Sequence, residues 1–218
     1  MVNRCLTTQP PSALRLTVVD LDGTYLAANS LHLYLRTAFF FHLRHRNLRR
    51  CAGIAVPVFL RLIRAIPHHH MKFKALTSAG ASEGLLSAFA EKALAKVNPE
   101  VAEIVGRCKK NGETVVIATA APRFYVEKIF SGPIIATEFI PGDNPAGIVE
   151  CRGEEKLRRV RCFIKNGFHT LVRFISDHYD DLPLFRHTAE CGGDNILVVP
   201  SSKTIAMMHG TRYRILHS

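Results

Sequence analysis

Between Tyr25 and Ala75 the chain contains no aspartate and no glutamate. The same window holds nine lysines or arginines (positions 36, 44, 46, 49, 50, 61, 64, 72 and 74) and six histidines, so it carries +9 of the net +11 of the 218-residue chain. A block of one sign excludes an evenly mixed surface there and marks a structural unit distinct from its flanks. Also missing is any C-x-x-C pair among the six cysteines at 5, 51, 108, 151, 162 and 191. That spacing suits neither a disulfide framework nor a zinc site and fits reduced thiols. The first sixteen residues lack the apolar stretch and small-residue cleavage pattern of a secretory signal, which points to a cytoplasmic protein, and Pro10 and Pro11 read as a frayed start. No segment reaches the roughly 20 apolar residues of a membrane span. The most apolar run, Cys51 to Leu60, is closed off by Arg50 and Arg61. Internal repeats and low-complexity tracts are absent too. The triplet His68 to His70 follows Pro67 and reads as an exposed connector, because three consecutive side chains do not easily converge on one ion.

What is present is a hydrophobic content of 47%, enough for a sizeable core and too much for a disordered chain. Outside the basic window, strands and helices alternate. Residues 14–20, 114–120, 170–177 and 195–200 read as strands, the last of these as the final strand of the chain. Residues 99–112, 121–130, 153–167 and 180–189 read as helices. The segments 134–140 and 146–151 form a predicted hairpin across the turn residues Pro141 to Pro145. Continuous apolar strands separated by helices describe a parallel sheet covered on both faces, a Rossmann-like three-layer α/β/α sandwich. Between the first two strands, residues 30–53, 56–66 and 82–97 hold apolar residues at helical spacing. The expected division is therefore an α/β core of residues 1–24 and 98–218, with a helical domain of residues 25–97 inserted.

Asp22-Gly23, read alone, is a turn signal. Its position suggests more. The first strand ends in Asp20 and Asp22, the second in Thr119, and the strand from 170 in Asp177, with Asp180 and Asp181 just beyond. Ligands of open parallel sheets bind at the carboxyl ends of the strands, so these groups would share one edge. Carboxylates gathered in a crevice are costly unless a cation neutralises them, and a few hard oxygen donors with room for water and phosphate suit Mg2+. Mg2+ in turn implies a phosphorylated substrate, with Lys156 as a further cationic contact.

The sequences DLDGT at 20–24, VVIAT at 115–119, GEEK at 153–156 and SDHYDDLPL at 176–184 resemble the four ordered motifs of the haloacid dehalogenase superfamily. The insertion of residues 25–97 after the first motif is similar to the helical cap of its phosphoserine-phosphatase-like branch. That resemblance implies a Mg2+-dependent phosphatase acting on a small phosphomonoester through an aspartyl-phosphate. It implies Asp20 as nucleophile and Asp22 as general acid and base, with Gly23 and Thr24 shaping the turn. Thr119 and Lys156 would bind the phosphate. Asp20, the main-chain carbonyl of Asp22, and Asp177 would hold the metal, and Asp181 would bind it through water or orient Lys156. Asp180 is an additional acid, read as a solvated helix-start residue. Dehalogenases lack an acid at the position of Asp22 and transport ATPases carry threonine there, so the resemblance points to ester hydrolysis or to phosphotransfer.

The basic window admits three readings. One is an ordinary solvated face, the second a peripheral contact with anionic membrane serving a lipid or prenyl phosphate, the third attraction of a highly anionic soluble substrate. If one helix ran from 46 to 64, Arg46, Arg50, Arg61 and Arg64 would lie within about 60° of each other, although Pro57 would kink it. A basic nucleic-acid or membrane-binding module with a retired active site is the non-enzymatic alternative. Nucleic acid is not the expected partner, since no aromatic interleaving or binding motif accompanies the charge.

Overall fold

The structure is a computed structural model and describes residues 14–142 and 148–217. Cys5, the prolines at 10 and 11, and most of the predicted hairpin turn lie outside the described residues. Six parallel strands form one sheet in the order β3-β2-β1-β4-β5-β6. They are β1 (Leu14–Val19), β2 (Thr114–Pro122), β3 (Ile134–Thr137), β4 (His169–Ser176), β5 (Asp194–Val198) and β6 (Arg214–Leu216). Side chains alternate between the two faces of a strand, and both faces are buried here. Leu16, Val18, Val116, Phe174 and Leu197 pack with Leu157 and Val160 of α7 (Glu154–Gly167) and with Leu184 and Phe185 of α8 (Leu182–Glu190). Val19, Ile117, Ile175 and Ile196 pack on the opposite side with Val101 and Ile104 of α5 (Pro99–Lys110). The result is the three-layer α/β/α arrangement expected from the alternating pattern.

Four helices stand between β1 and α5, which leads into β2: α1 (Ser30–Arg44), α2 (Leu48–Leu62), α3 (His68–Ala79) and α4 (Glu83–Leu94). Their inner faces join the sheet's second core cluster through Tyr34, Phe73, Leu76 and Phe89. Tyr34 stacks on Tyr125 at 5.0 Å between ring centroids, and Phe73 meets Phe139 at 4.9 Å. A buried ion pair adds direction to this packing. Lys72 donates to the Ala120 carbonyl at 3.0 Å and to Glu150 at 2.6 Å, tying α3 to the end of β2.

Several expectations are corrected. The histidine triplet is no connector: it opens α3, whose extended Pro67 precedes the first turn and whose Met71, Ala75, Leu76 and Ala79 face inward. No single helix joins residues 46 to 64. Arg46 and Arg64 both have left-handed backbones (φ 55° and 60°), and the Asn47 side chain caps α2 by accepting the Arg50 N–H at 3.2 Å. The helix expected over 121–130 shrinks to α6 (Arg123–Val126), because β2 continues through the extended Pro122. Among the described residues the hairpin is replaced by the edge strand β3 alone. Described residues 148–151 form no strand, and a Thr137 hydroxyl accepting the Cys151 N–H at 3.0 Å stands in for a ladder. Beyond the strand expected to be last, α9 (Ser202–Met207) leads to β6, which pairs with β5.

Candidate active site

In a sheet of this order, β1 and β4 are neighbours whose following connections leave in opposite directions, and the gap between them opens at their carboxyl ends. There a cleft of about 210 Å³ is lined by Asp20, Asp22, Thr119, Lys156, Asp177 and Asp181, with Asn29, Ala120, Arg152, His178 and Asp180. All the main side chains expected from the four motifs thus meet in one place.

Asp20 follows β1 directly and is fixed by its own N–H, which donates to the Ile175 carbonyl of β4 at 2.9 Å. Its Oδ1 accepts from Lys156 Nζ at 2.7 Å. Lys156 lies in the first turn of α7, is buried, and also donates to Asp181 at 2.8 Å. Asp181 in turn accepts from the Ser176 hydroxyl at 2.7 Å. Asp181 is thus bonded to the lysine, as one of its two expected roles requires. Asp22 points its Oδ1 at the N–H of Ser30, 2.6 Å away at the start of α1. Thr119 accepts the Ala121 N–H at 3.0 Å, leaving its own O–H proton for the cleft. Thr24 donates to Asp177 Oδ1 at 3.3 Å across the turn.

Gly23 is required at that turn for two reasons. Its φ of 75° is strained for any residue with a side chain, and a Cβ there would overlap the Asp177 carboxylate. Asp180 is neither a free solvated residue nor part of the inner cluster. It sits in a short 3₁₀ turn, 179–181, and is paired with Arg152 at the rim, with Arg152 Nε donating at 2.9 Å.

Burial dominates the electrostatics. It pushes the Asp20 carboxyl up to about 8, against the pull of Lys156 and with added push from Asp181 and Asp177. It likewise raises Asp177 to about 6, and raises Asp22 against the Ser30 N–H. Burial alone would lower Lys156, but Asp181 and Asp20 more than reverse that, so the ammonium stays charged. Among the described residues no three His, Cys, Asp or Glu side chains already form a metal-binding group. The donor set nevertheless fits a hard cation. Lys156 occupies Asp20 Oδ1 and Asp181, Ser30 occupies Asp22 Oδ1 and Thr24 occupies Asp177 Oδ1, which leaves Asp20 Oδ2 and Asp177 Oδ2 among the carboxylate oxygens available to one. Two carboxylates, a main-chain carbonyl and open space match the few protein ligands and retained waters of Mg2+.

Three contributors escaped the sequence reading: Ser30, Ser176 and Arg152. Asn29 and Ser30 did carry a helix-start signal, since the Asn29 side chain caps α1 by accepting the His32 N–H at 3.0 Å. Nothing local pairs Ser176 with Asp181 or Arg152 with the cleft.

No curated protein sequence matches the chain. Solved structures share its fold. A protein of unknown function from Bordetella pertussis Tohama I is 18% identical, with a TM-score of 0.65 over 94% of this chain and 99% of that one. A phosphoserine phosphohydrolase-like protein from Francisella tularensis subsp. tularensis SCHU S4 is 16% identical, with a TM-score of 0.58 over 93% and 95%. A phosphoserine phosphatase, solved as a phospho-aspartyl intermediate analogue, is 13% identical, with a TM-score of 0.57 over 94% of each chain. The sequence profile that describes haloacid dehalogenase-like hydrolases matches residues 17–186, from β1 through α8 and thus every side chain of the cleft's inner cluster. The chain belongs to the haloacid dehalogenase-like hydrolase family.

Proposed function

We propose that the protein is a Mg2+-dependent phosphatase that hydrolyses a phosphomonoester through a phosphorylated Asp20. The observation that carries this reading is the unequal treatment of two neighbouring carboxylates. Asp20 is bonded to the Lys156 ammonium, and Asp22 to a neutral N–H. In the first environment Lys156 pulls toward the ionised nucleophile against the burial that raises Asp20 to about 8, and a bound cation would add to that pull. The second, with burial raising its pKa, favours a carboxyl that can carry a proton.

In this mechanism Asp20 Oδ2 attacks phosphorus while Lys156 and Thr119 hold phosphoryl oxygens. Asp22 protonates the departing alcohol oxygen, then takes a proton from the water that attacks the acyl phosphate. That second attack returns Asp20 as a free carboxylate and releases inorganic phosphate. Asp181 and Ser176 keep Lys156 aimed at Asp20 through both steps. Mg2+ held by Asp20, Asp177 and the Asp22 carbonyl would supply positive charge against the phosphoryl oxygens. Helices α1 to α4 serve as the cap, with α3 docked on the core beside the cleft through Lys72.

Phosphate release from a panel of phosphomonoesters, with Mg2+ and with chelator, tests the reading. Turnover should need the metal and be abolished by Asp20→Asn with the fold intact by circular dichroism. Asp22→Asn should cost about 10²–10⁴-fold in kcat, the usual weight of general acid-base catalysis. Full activity in Asp20→Asn would remove the mechanism.

A further inference from the structure

Helix α2 faces the wrong way for an ordinary surface helix. At about 100° per residue, Leu48, Ala52, Ala55, Val56, Phe59 and Leu62 fall within about 120° of one another. All six are exposed, whereas the buried side of α2 rests on Cys51, Ile54 and Pro57. Leu62 is 79% exposed, Phe59 59% and the following Ile63 56%. Single exposed apolar residues need no explanation, but a continuous stripe of this kind does.

The stripe is framed by charge of one sign. Arg44, Arg46 and Arg49 lie at its start, Arg61 and Arg64 at its end, all exposed. Among the described residues none of these five is paired with a carboxylate, and no acidic residue occurs between Asp22 and Glu83. Apolar side chains flanked by unpaired arginines suit the boundary between acyl chains and anionic headgroups. They fit a second copy of this chain poorly, because two such faces would bring like charges together. No helix among the described residues is long and apolar enough to cross a membrane, so the contact would be in the plane of the surface.

The placement of this face relates it to the cleft. The carboxyl end of α2 turns at Ile63 to Pro67 into α3, whose first turns reach the core. There His68 feels both Arg61 of α2 and Arg152 of the cleft rim, and Lys72 bonds the carbonyl of Ala120, itself a cleft residue. Phe59, Leu62 and Ile63, three of the exposed apolar residues, are therefore at the cleft end of the helix.

We propose that the outer face of α2 docks on anionic lipid bilayers and presents the cleft to phosphate-bearing lipids at their surface. The docking stands on the helix alone; the substrate class rests on the phosphatase reading above. Co-sedimentation with phosphatidylglycerol-containing vesicles and with pure phosphatidylcholine vesicles tests the first part. Wild-type protein should bind the anionic vesicles, less so as salt rises, and leave the neutral ones. Phe59→Ser/Leu62→Ser and Arg61→Glu/Arg64→Glu should each weaken binding by about tenfold or more. Both pairs are exposed, so melting temperatures serve as the check that the fold is kept. No binding, equal binding by the variants, binding to duplex DNA instead, or a dimer that Phe59→Ser/Leu62→Ser dissolves would overturn the docking. Phosphate release from a lipid phosphate in the same vesicles should fall in both variants while release from a soluble phosphomonoester stays unchanged. Equal release from the lipid by all three proteins would overturn the lipid substrate. Vesicle binding with no release from lipid or soluble esters would instead remove the phosphatase reading and leave the docking in place.

Discussion

Gly23 shows how tightly one residue can be specified. It must turn the chain after Asp22 with φ at 75°, and it must leave room for the Asp177 carboxylate against its own backbone. Gly23→Ala keeps the chemistry of every proposed ligand while displacing Asp177 or distorting the turn. The left-handed conformation alone costs about 1–2 kcal/mol. The expected outcome is a modest drop in melting temperature with a disproportionate loss of Mg2+ affinity, read by calorimetric titration. Wild-type affinity in that variant would show that Asp177 is not a ligand. At this scale the sequence was most legible where a side chain does chemistry. Asp20, Asp22, Thr119 and Asp177 end or follow predicted strands, Lys156 and Asp181 lie in the first turns of predicted helices, and the sheet's geometry brings those ends together. Ser30 and Ser176 were not legible, because each acts only through a partner that the tertiary fold delivers. Arg152 was hidden for the same reason: its partner Asp180 lies 28 residues away on the far rim.

Among elements, the strands of the core announced themselves because burial on both faces forces continuous apolar runs. The helices between β1 and β2 were harder to delimit. The break between α1 and α2 rests on one left-handed arginine and one asparagine cap, both inside a stretch that is apolar at helical spacing throughout. Helix α3 was obscured by its first turn, three histidines, although Met71, Ala75, Leu76 and Ala79 form an ordinary buried stripe after them. Strand β6 is three residues long and mostly exposed at the sheet's edge, so no apolar pattern marks it. The position of α3 depends on Lys72, whose ammonium is almost buried between the Ala120 carbonyl and Glu150. Lys72→Met removes two charge-assisted bonds and leaves Glu150 partly buried without its partner, at a cost of about 1.5–3 kcal/mol. If α3 seats the cap over the cleft, KM for the best substrate rises by more than kcat falls. A variant with the expected loss of stability and unchanged KM would make Lys72 a purely structural tie.

The molecule as a whole sets a strongly basic body against a small acidic cleft, and the two do not cancel locally. The lysine bonded to Asp20 is shared with Asp181, and the unpaired, exposed arginines lie on α2 and just beyond its two ends. Burial consequently holds Asp20 up at about 8 and Asp177 at about 6. Both lie above the ordinary carboxylate value of 3.8 that the unfolded chain would show. A carboxyl raised on folding keeps a proton that the unfolded chain releases. Its contribution to stability is complete below the unfolded value and is lost as pH climbs through the folded one. Chelator-treated protein should therefore lose stability between pH 5 and 8 on account of these two groups. A divalent cation binds their ionised forms, so its affinity should rise over the same range as fewer protons must be displaced. At a free Mg2+ concentration about 100 times its Kd, the folded state gains about 2.7 kcal/mol. Thermal melts at pH 5.5, 7 and 8.5 with Mg2+ and with chelator give the comparison directly. The gap between the two curves should widen with pH in the wild-type protein and nearly close in Asp177→Asn, which removes a free carboxylate oxygen but leaves the Lys156 cluster standing. Parallel curves with a constant gap would mean that the cation binds elsewhere. No gap at any pH would mean that the cleft relies on Lys156 alone.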